Sequence, residues 1–382
     1  MLPIAAGARI GDDIKMIKTN KNTFIVWEPH TKTHAETVPG WTKYLLDMGY
    51  RVIAVVGSNP VNDGLFRYSD RNLTVIRMPD FISRIWLKYK DFSGAAGILV
   101  ASGEVLKRGK AKNQKPGYAE AYGFFKRAPQ DKVFLVFHDI RKEVDAGISP
   151  EDIITLDNMD YQGAKTVVVN PHYFGEVEKH HKNKITNFVT IGTLTNPSPA
   201  GTLKRTRRNS SLLLESVQRL HDAGVRDFRV TAVGRNVRNF KVPRNLRGYF
   251  DLHNSLGFQE MFKKIESADF FLPLLDADTD ANHRYITTGT SGNFQLIYGF
   301  AKPPLIASRF AVKKSFNSKN SIVYEKNADL ADAMKRAVLM PAKEYDTMRS
   351  ALSATVAGIY KRSLGNFEKL VKSKSSAPDN AA

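Results

Sequence analysis

The sequence predicts an α/β protein of two tandem domains, each built on a parallel sheet. Its 382 residues exceed the length that one hydrophobic core usually supports. Residues 23–57 contain an apolar run, a segment with helical spacing and a second apolar run, which is the pattern of a βαβ unit with a right-handed crossover. Apolar runs and helical segments alternate again after residue 186. Two β/α domains in tandem account for both series.

The first domain is predicted to span residues 23–180, after a loosely attached N-terminal segment at 1–22. A glycine- and lysine-rich stretch at 103–117 is predicted to be a mobile surface loop. The strands are predicted from short apolar runs and the helix from its 3.6-residue spacing, closed by a glycine. The predicted elements are strands at 23–27, 51–57, 73–77, 96–100, 132–137 and 166–169, and a helix at 40–50.

The second domain is predicted to span residues 181–363, joined to the first by a hinge near 175–186. A basic stretch at 195–208 is predicted to be flexible, and residues 364–382 are predicted to form a flexible tail because they become rich in lysine, serine and proline. The predicted elements are strands at 187–192, 227–234, 270–275 and 305–307, and helices at 210–223 and 256–267.

Composition limits the class of protein. The formal net charge is +19, from 57 Lys and Arg against 38 Asp and Glu, which favours an anionic partner: nucleic acid, an anionic membrane surface or phosphorylated substrates. No segment resembles a nucleic-acid-binding module. The absence of cysteine excludes a disulfide framework and a cysteine-based metal site. No apolar stretch approaches ~18 residues, so no transmembrane helix is expected, and the predicted location is the cytoplasm.

The most informative motif is a turn of small and hydroxyl-bearing residues at 287–293, between the apolar run at 270–275 and a segment of helical character. A helix start leaves backbone N–H groups without partners and carries partial positive charge, so it favours an anion. Gly289 and Gly292 allow close approach of the backbone, and Thr290 and Ser291 can donate hydroxyl groups. The turn is therefore predicted to bind an anion such as a diphosphate; an ordinary helix cap is the alternative.

Four motifs follow one another in a fixed order along the chain. They are the loop His34-Ala35-Glu36-Thr37-Val38-Pro39-Gly40 with its return Met48-Gly49-Tyr50-Arg51-Val52, the strand Phe188-Val189-Thr190-Ile191-Gly192 with the following Asn209-Ser210-Ser211-Leu212, the strand Val230-Thr231-Ala232-Val233-Gly234, and the turn at 288–293 with Lys302-Pro303-Pro304-Leu305-Ile306. Their order resembles the GT-B class of nucleotide-sugar glycosyltransferases, especially the bacterial polysaccharide and lipopolysaccharide enzymes. The resemblance covers residues 23–340 and implies two Rossmann-like domains facing across a cleft, with the sugar nucleotide on the second domain and the acceptor on the first.

The resemblance implies a catalytic group on the first domain. Inverting members place a general base in the loop after the first strand, where His34 lies and where Glu36 could serve instead. Asp139, at the end of the strand 132–137, could orient or charge-stabilise that base. For His34 a hydrogen-bonded loop residue is the alternative interpretation, and His30 in the same loop has only its proximity in its favour.

The resemblance also implies a set of donor contacts on the second domain. Cations are needed to stabilise the charge that develops on the β-phosphate, and the stretch that contains Lys204, Arg205, Arg207 and Arg208 could supply one. Tyr249, with Phe250 beside it, is the candidate for contact with the base. The donor candidates are Gly192, Lys204, Arg235, Tyr249, Arg284, Tyr285, Thr288, Gly289, Thr290, Ser291, Gly292 and Asn293.

One departure from the resemblance concerns the reaction course. Many retaining members carry two glutamates eight positions apart across this turn, whereas residues 289–297 contain no acid, so a retaining course is not implied. Asp276, Asp278 and Asp280 alternate, but the glycine and glutamate of an EF-hand loop are missing, so contact with sugar hydroxyls or solvent is favoured over a metal.

The sequence therefore predicts a glycosyltransferase of surface polysaccharide biosynthesis. It would take a nucleotide sugar and a glycan or lipid-linked acceptor, without metal or other cofactor, and would touch the inner face of the membrane peripherally through its basic surface. Two alternatives remain: a nucleotide-sugar epimerase on the same fold, and a non-catalytic basic protein that binds nucleic acid or membrane.

Overall fold

The computed structural model describes residues 19–28, 34–103, 124–145, 147–178, 180–194, 196, 208–276 and 279–375. Residues 1–18 of the predicted N-terminal segment 1–22, and most of the stretches 103–117 and 195–208, lie outside these ranges. So do the candidates His30, Lys204, Arg205, Arg207 and Asp278.

The first domain is a parallel sheet of seven strands in the order β3-β2-β1-β4-β5-β6-β7. Its central strands are buried along their whole length, as expected of a parallel sheet covered on both faces. The strands are β1 (Thr23–Trp27), β2 (Arg51–Gly57), β3 (Leu73–Met78), β4 (Gly97–Val100), β5 (Val133–Phe137), β6 (Ile154–Thr155) and β7 (Val167–Val168). The helices are α1 (Val38–Asp47), α2 (Asp80–Tyr89) and α3 (Arg141–Asp145).

Helix α1 is fixed by local sequence at both ends. Pro39 stands in its first turn, where a missing N–H costs nothing. Gly49, just beyond its end, has φ +86, a conformation that glycine adopts without strain. Inside the helix, a Cβ at Gly40 would lie 2.3 Å from the carbonyl oxygen of Pro171, so only glycine allows this packing.

The second domain repeats the strand order of the first. Four parallel strands run in the order β10-β9-β8-β11, and a backbone bridge from Phe271 to Pro304 connects them to the pair β12-β13. The strands are β8 (Thr186–Ile191), β9 (Phe228–Gly234), β10 (Phe250–Asn254), β11 (Phe270–Phe271), β12 (Leu305–Ala307) and β13 (Ile322–Tyr324). The helices are α4 (Ser210–Asp222), α5 (Phe258–Glu266), α6 (Asp280–His283), α7 (Gly292–Gly299), α8 (Ser308–Ala311), α9 (Leu330–Leu339) and α10 (Ala342–Ser375).

Both sheets therefore have the doubly wound order in which the chain reverses direction beside the first strand. This confirms the predicted α/β fold of two Rossmann-like domains. Such folds bind ligands beyond the carboxyl ends of their strands. The residues that directly follow β1, β4, β5, β8 and β9 are therefore expected to line a binding site.

The C-terminal helix corrects the predicted tail. Helix α10 begins in the second domain, where the hydroxyl of Tyr345 donates to the carbonyl of Asp269 at 3.1 Å. It ends on the first domain, where Phe367 is fully buried and packs edge-on against Trp41 at 5.6 Å between ring centroids. The prediction of a flexible tail from residue 364 is therefore wrong for 364–375, because Phe367, Leu370 and Val371 complete the core of the first domain.

The chain enters the second domain earlier than the predicted boundary at 180/181. Phe174 is fully buried and stacks on Phe300 at 5.4 Å and against Phe262 at 5.3 Å, both in the second domain. Composition could not place this boundary, because an apolar residue in a connecting segment packs wherever a core lies nearest.

Within the described ranges, every helix is either too short or too polar to cross a bilayer.

Candidate active site between the two domains

The turn at 287–290 is held against the carboxyl edge of the first sheet. Residues 138–140 follow β5, and there the N–H of Ile140 donates to Thr288 O at 3.0 Å while the N–H of Thr290 donates to His138 O at 3.3 Å. These bonds form an antiparallel bridge between Asp139 and Gly289. Parts of both domains therefore meet in one place, the place where the sequence predicted donor and acceptor groups to face each other.

Two histidines meet at the carboxyl edge of the first sheet. His34 follows the undescribed loop after β1, and its ring centroid lies 4.3 Å from that of His138, with 56° between the ring planes. His138 Nε2 lies 3.0 Å from the carbonyl oxygen of Ala101, which assigns the proton of a neutral ring to Nε2. The predicted base thus lies beside a second imidazole, that of the residue immediately before Asp139.

A buried polar pair lies behind His138. The hydroxyl of Ser102 donates to Glu28 Oε2 at 2.8 Å and lies 3.4 Å from His138 Nε2. Glu28 is 1% exposed and Ser102 is 2% exposed, so this pair is shielded from solvent. Burial of a carboxylate requires such hydrogen bonds, and the pair helps to fix the ring of His138.

Glu36 faces the start of α7 across the domain boundary. A Cβ at Gly292 would lie 2.9 Å from Glu36 Oε1, so the carboxyl group and the first helical residue are in direct contact. Burial raises the pKa of Glu36 to about 7, opposed by a hydrogen bond from its own backbone. A carboxyl group with a pKa near neutrality can accept a proton and later release it, as a general base must.

Asp139 is engaged by arginines. Its carboxylate accepts from Arg141 Nε at 3.0 Å and Nη2 at 2.8 Å, and Arg284 Nη1 lies 3.9 Å away. Partial burial opposes ionisation of Asp139, but the hydrogen bonds and charge of Arg141, with the charge of Arg284, outweigh it and lower the pKa. The predicted role of orienting a histidine does not match these contacts, since the carboxylate binds guanidinium groups; its position beside Gly289 suits a link between the domains.

The donor turn contains buried polar groups that lack partners. The hydroxyl oxygens of Thr288 and Thr290 and the amide nitrogen of Asn293 have no hydrogen-bond partner among the described residues. These side chains are 5%, 8% and 4% exposed. Buried polar groups without partners are rare in native proteins and each destabilises the free protein by ~1–3 kcal/mol. Their grouping at one helix start indicates a site completed by a polar ligand.

The backbone of this turn differs from the prediction in part. The N–H of Gly289 donates to Arg284 O at 2.7 Å and that of Thr290 donates to His138 O, so neither is available to a ligand. Helix α7 begins one residue after Ser291, whose side chain makes no cap hydrogen bond. The first N–H groups of α7, from Gly292 and Asn293, lack intrahelical partners as at every helix start. The anion site predicted for the whole turn is therefore narrowed to the start of α7.

A buried arginine lies at the carboxyl end of β8. Gly192, directly after β8, has φ +135, and a Cβ there would lie 2.9 Å from Arg208 Nε. Arg208 Nε donates to Ile191 O at 3.3 Å, and the residue is only 9% exposed. The sequence favoured two other cations for the phosphates: Lys204, from the same basic stretch, and Arg235, after β9. Arg235 is exposed after β9 and stays a candidate, whereas Arg208 is the cation that the fold holds at the strand end.

Arg284 and Tyr285 act as a pair. Tyr285 is 3% exposed within the core of the second domain, and its hydroxyl accepts from Arg284 Nη2 at 2.9 Å. The guanidinium also lies over the ring of Tyr285, 4.7 Å from its centroid. The structure thus places Tyr285 as a support for Arg284, which in turn faces Asp139, rather than as a direct contact for a sugar.

Tyr249 lies at the wrong end of its sheet for the predicted role. It precedes β10 and stacks on Phe228, the first residue of β9, at 4.6 Å with 7° between the rings. Its hydroxyl bonds to His221 Nδ1 at 3.1 Å. Amino ends of parallel strands lie opposite the ligand-binding edge, so the prediction that Tyr249 contacts a base is wrong.

Asp276 is bound within the protein. Its carboxylate accepts from Asn209 Nδ2 at 2.9 Å and from Asn327 Nδ2 at 2.8 Å. Among the described residues no group of three or more histidines or carboxylates could hold a metal ion. Asp276 therefore ties the loop after β11 to the cap of α4, where the side chain of Asn209 also accepts from the N–H of Leu212.

Sequence reasoning missed residues that share one simple signal. Glu28 is the first residue after β1 and Ser102 the second after β4, both buried strands of the first sheet, and carboxyl ends of parallel strands converge at one edge. Thr190, 1% exposed in β8, has a hydroxyl without a partner among the described residues. The position of a polar residue relative to the strand end would have found most of them.

The site thus combines two kinds of chemistry. On the first domain, an imidazole pair and a carboxyl group of near-neutral pKa can accept a proton. On the second, unpartnered hydroxyl and amide groups, a helix start and a buried arginine can hold a group with negative charge.

No family model and no curated protein matches the chain. A glycosyltransferase from Rickettsia africae ESF-5 matches with a TM-score of 0.52 at 12% identity, over 94% of this chain and 100% of the other. AviGT4, a glycosyltransferase of avilamycin A biosynthesis, matches with a TM-score of 0.51 at 13% identity, over 91% and 98%.

A third solved structure is that of Anabaena HepE in complex with UDP and glucose. It matches with a TM-score of 0.51 at 12% identity, over 92% of this chain and 99% of the other. At these identities the likeness concerns the fold. The two sheets, their matching strand order and the near-complete coverage agree: the chain has the two-domain GT-B fold found in these glycosyltransferases.

Proposed function

We propose that the protein is a glycosyltransferase that moves a sugar from a nucleoside diphosphate to a hydroxyl group of a glycan or lipid-linked acceptor, in surface polysaccharide biosynthesis. The observation that carries the proposal is the group of buried, unpartnered side chains of Thr288, Thr290 and Asn293 at the start of α7, opposite Glu36. The fold shared with glycosyltransferases, one of them solved with UDP and glucose, supports this choice among anion-binding functions.

On the donor side, the start of α7 would take the diphosphate. Its N–H groups and the hydroxyl groups of Thr288 and Thr290 would donate to phosphate oxygens. Arg208, or the exposed Arg235, would offset the charge that grows on the leaving diphosphate as the sugar departs. These groups would supply the charge stabilisation for which other enzymes use a metal, and no metal is proposed.

On the acceptor side, His34 or Glu36 would remove the proton from the attacking hydroxyl. Glu36 has the pKa that suits the task and faces the donor turn, while His34 contacts His138. A carboxyl group that is neutral near pH 7 also reduces repulsion with a diphosphate at the same helix start. The bond from the sugar to the β-phosphate breaks as the bond to the acceptor oxygen forms.

The first experiment identifies the donor. A thermal-shift screen with common nucleotide sugars should raise the melting temperature for the donor that binds, since a ligand of the native state stabilises it. Ser291→Trp places an indole at the helix start and should abolish the shift. The matched control is Ser350→Trp, on the exposed face of α10. A shift that survives Ser291→Trp would refute the donor site.

The second experiment tests transfer. Radiolabelled sugar should move from the donor to an acceptor, and His34→Ala should lower that turnover by ~100-fold or more. His181→Ala, which removes a histidine 64% exposed, is the control. Conversion of the sugar nucleotide in the absence of any acceptor would favour the epimerase instead. Vesicle or nucleic-acid binding without saturable binding of nucleotide diphosphates would favour a non-catalytic protein.

A further inference from the structure

Helix α2, Asp80–Tyr89, carries apolar residues on two faces. The inner face packs on the first sheet through Leu87, which is fully buried, with Ile82 and Trp86 partly buried against the same core. The outer face carries Phe81, Ile85 and Tyr89, which are 66%, 59% and 57% exposed. A spacing of four residues places these three side chains in one stripe, here called the outer stripe of α2.

The outer stripe is not ordinary surface exposure. Other described residues of similar size and exposure, Val75, Ile185, Val312 and Leu339, lie on separate elements. Single exposed apolar residues are normal in soluble proteins, whereas aligned ones mark a surface that contacts something apolar. Phe81 and Tyr89 are aromatic, so aromatic residues make up much of this face.

Cations surround the outer stripe. Arg84, Lys88 and Lys90 belong to α2 and its end. The N–H of Lys126 donates to Lys88 O at 3.0 Å and the N–H of Phe92 donates to Arg127 O at 2.9 Å, so the exposed Lys126 and Arg127 lie beside the last turn of α2.

The acids nearby are fewer. Asp80 begins the helix, and Asp91 follows it with its carboxylate accepting from the N–H of Ser93 at 2.9 Å and from the hydroxyl of Ser93 at 2.7 Å. The cations therefore outnumber the carboxylates around the stripe, within a chain of net charge +19.

We propose that the outer stripe of α2 and its surrounding cations form a docking surface for an anionic lipid membrane. An apolar stripe bordered by lysines fits a bilayer interface, since Phe81 and Ile85 can enter the acyl boundary while the lysine ammonium groups reach the phosphates. Tyrosine and tryptophan are favoured at this depth because they are apolar with one polar atom. An acidic protein partner would pair with the lysines but would not require the exposed apolar stripe.

The docking surface lies close to the candidate active site. The guanidinium of Arg84 lies over the ring of Trp27, 5.8 Å from its centroid, and Trp27 ends β1 immediately before Glu28. A membrane on α2 would therefore hold the acceptor-side domain near the lipid surface. Together with the proposed transfer reaction, on which this point rests, that position implies a lipid-linked acceptor.

Vesicle cosedimentation tests the docking surface without any use of the reaction. The full chain should bind vesicles of phosphatidylglycerol and phosphatidylcholine at low salt, and should bind pure phosphatidylcholine vesicles at least about tenfold more weakly. Replacement of Phe81, Ile85 and Tyr89 together by serine should weaken binding by at least about tenfold. The matched control replaces Ile185, Val312 and Leu339 by serine, and should bind like the wild type. Equal loss in both variants overturns the proposal.

The contribution of the lysines and the insertion of the stripe into the bilayer are tested separately. Lys88→Gln, Lys90→Gln and Lys126→Gln should each lower binding by about fivefold at low salt. Trp86 is the only one of the three tryptophans that is not fully buried in the described structure. Its emission should shift to the blue on binding, and brominated lipid should quench it; Trp86→Phe should abolish both changes.

Other occupants of the stripe give different results. A second copy of the chain predicts a dimer that the triple serine variant dissociates, with no binding to anionic vesicles, and this result would overturn the proposal. Cover by the segment 104–123 predicts that the serine substitutions leave vesicle binding unchanged, and this would overturn it as well. Transfer to a water-soluble acceptor should be unaffected by the triple variant, so failure of the docking surface and failure of the proposed function are distinguishable.

Discussion

The carboxyl group of Glu36 contacts the first residue of α7: a Cβ at Gly292 would lie 2.9 Å from Glu36 Oε1. One residue lies in the loop after β1 and the other begins α7, 256 positions later in the sequence. The contact places a carboxyl group of one domain at the helix start of the other, where the sequence predicts an anion site.

Glu36 should make stability depend on pH. Its folded-state pKa of about 7 exceeds the ordinary value of 4.5, so the folded protein keeps a proton that the unfolded chain releases between these values. The resulting stabilisation is complete below pH 4.5 and is lost as the pH rises through 7. Relative to Glu36→Gln, the wild type should lose up to about 3 kcal/mol of unfolding free energy between pH 4.5 and 8. Urea unfolding at a series of pH values measures this; Glu176→Gln, at an exposed site, should show no such trend.

His172 should give the opposite slope. It is 2% exposed, and burial lowers its pKa from 6.5 to about 4, opposed by hydrogen bonds to backbone carbonyls. Between pH 6.5 and 4 the unfolded chain binds a proton that the folded protein does not bind, so the free energy of unfolding should rise with pH across this range. In the same urea series, His172→Asn should lack this increase in unfolding free energy, which amounts to up to about 3 kcal/mol. A wild-type profile that is flat between pH 4.5 and 6.5 is expected, because Glu36 and His172 oppose each other there.

Gly292→Ala should act through Glu36. The added methyl group displaces a flexible carboxyl end, so the melting temperature should change little while sugar transfer falls. Glu36→Ala should lower transfer by a similar factor, and the double variant should be no worse than either single one, since both remove one contact. Multiplicative losses in the double variant would show that the two residues act independently. Turnover of labelled donor by all three variants gives the answer.

Thr288→Val and Thr290→Val should shift the free and the ligand-bound protein in opposite directions. Removal of a buried hydroxyl without a partner should raise the stability of the free protein by ~1 kcal/mol or more. The same change removes a donor to phosphate, so the stabilisation by nucleotide diphosphate should shrink. Paired melting curves with and without ligand test this. The control is Thr347→Val, at an exposed position of α10. A lower stability of the free protein in both test variants would contradict the proposed site.

Phe367→Ala tests the corrected C-terminus. The ring is fully buried against Trp41 and Phe134, at 5.6 and 6.3 Å between centroids, and its removal should cost about 3–5 kcal/mol. Lys369→Ala, an exposed change two residues away on the same helix, should cost less than about 0.5 kcal/mol. Equal denaturation midpoints for Phe367→Ala and wild type would restore the predicted flexible tail.

Prediction from the sequence was strongest where structure is local. The strands at 23–27 and 51–57 were predicted with the bounds that the structure has, because a buried parallel strand is a continuous apolar run. Prediction was weakest where a residue's role depends on its partners. Tyr249 was predicted to contact a base because the resemblance implies an apolar or aromatic contact near this position, yet it stacks on Phe228 at the opposite edge of the sheet.

The sequence by itself determined the fold class, the element order and the location of a helix start after a hydroxyl-rich turn, since periodicity and turn composition are local properties of the chain. Only the tertiary structure decided which polar groups meet: Glu36 with Gly292, His34 with His138, and Arg208 with Gly192. It also decided that residues 364–375 cross back to the first domain. The physical reason is the same in each case: these contacts join segments far apart in the chain, and close packing of two sheets, not local propensity, selects them.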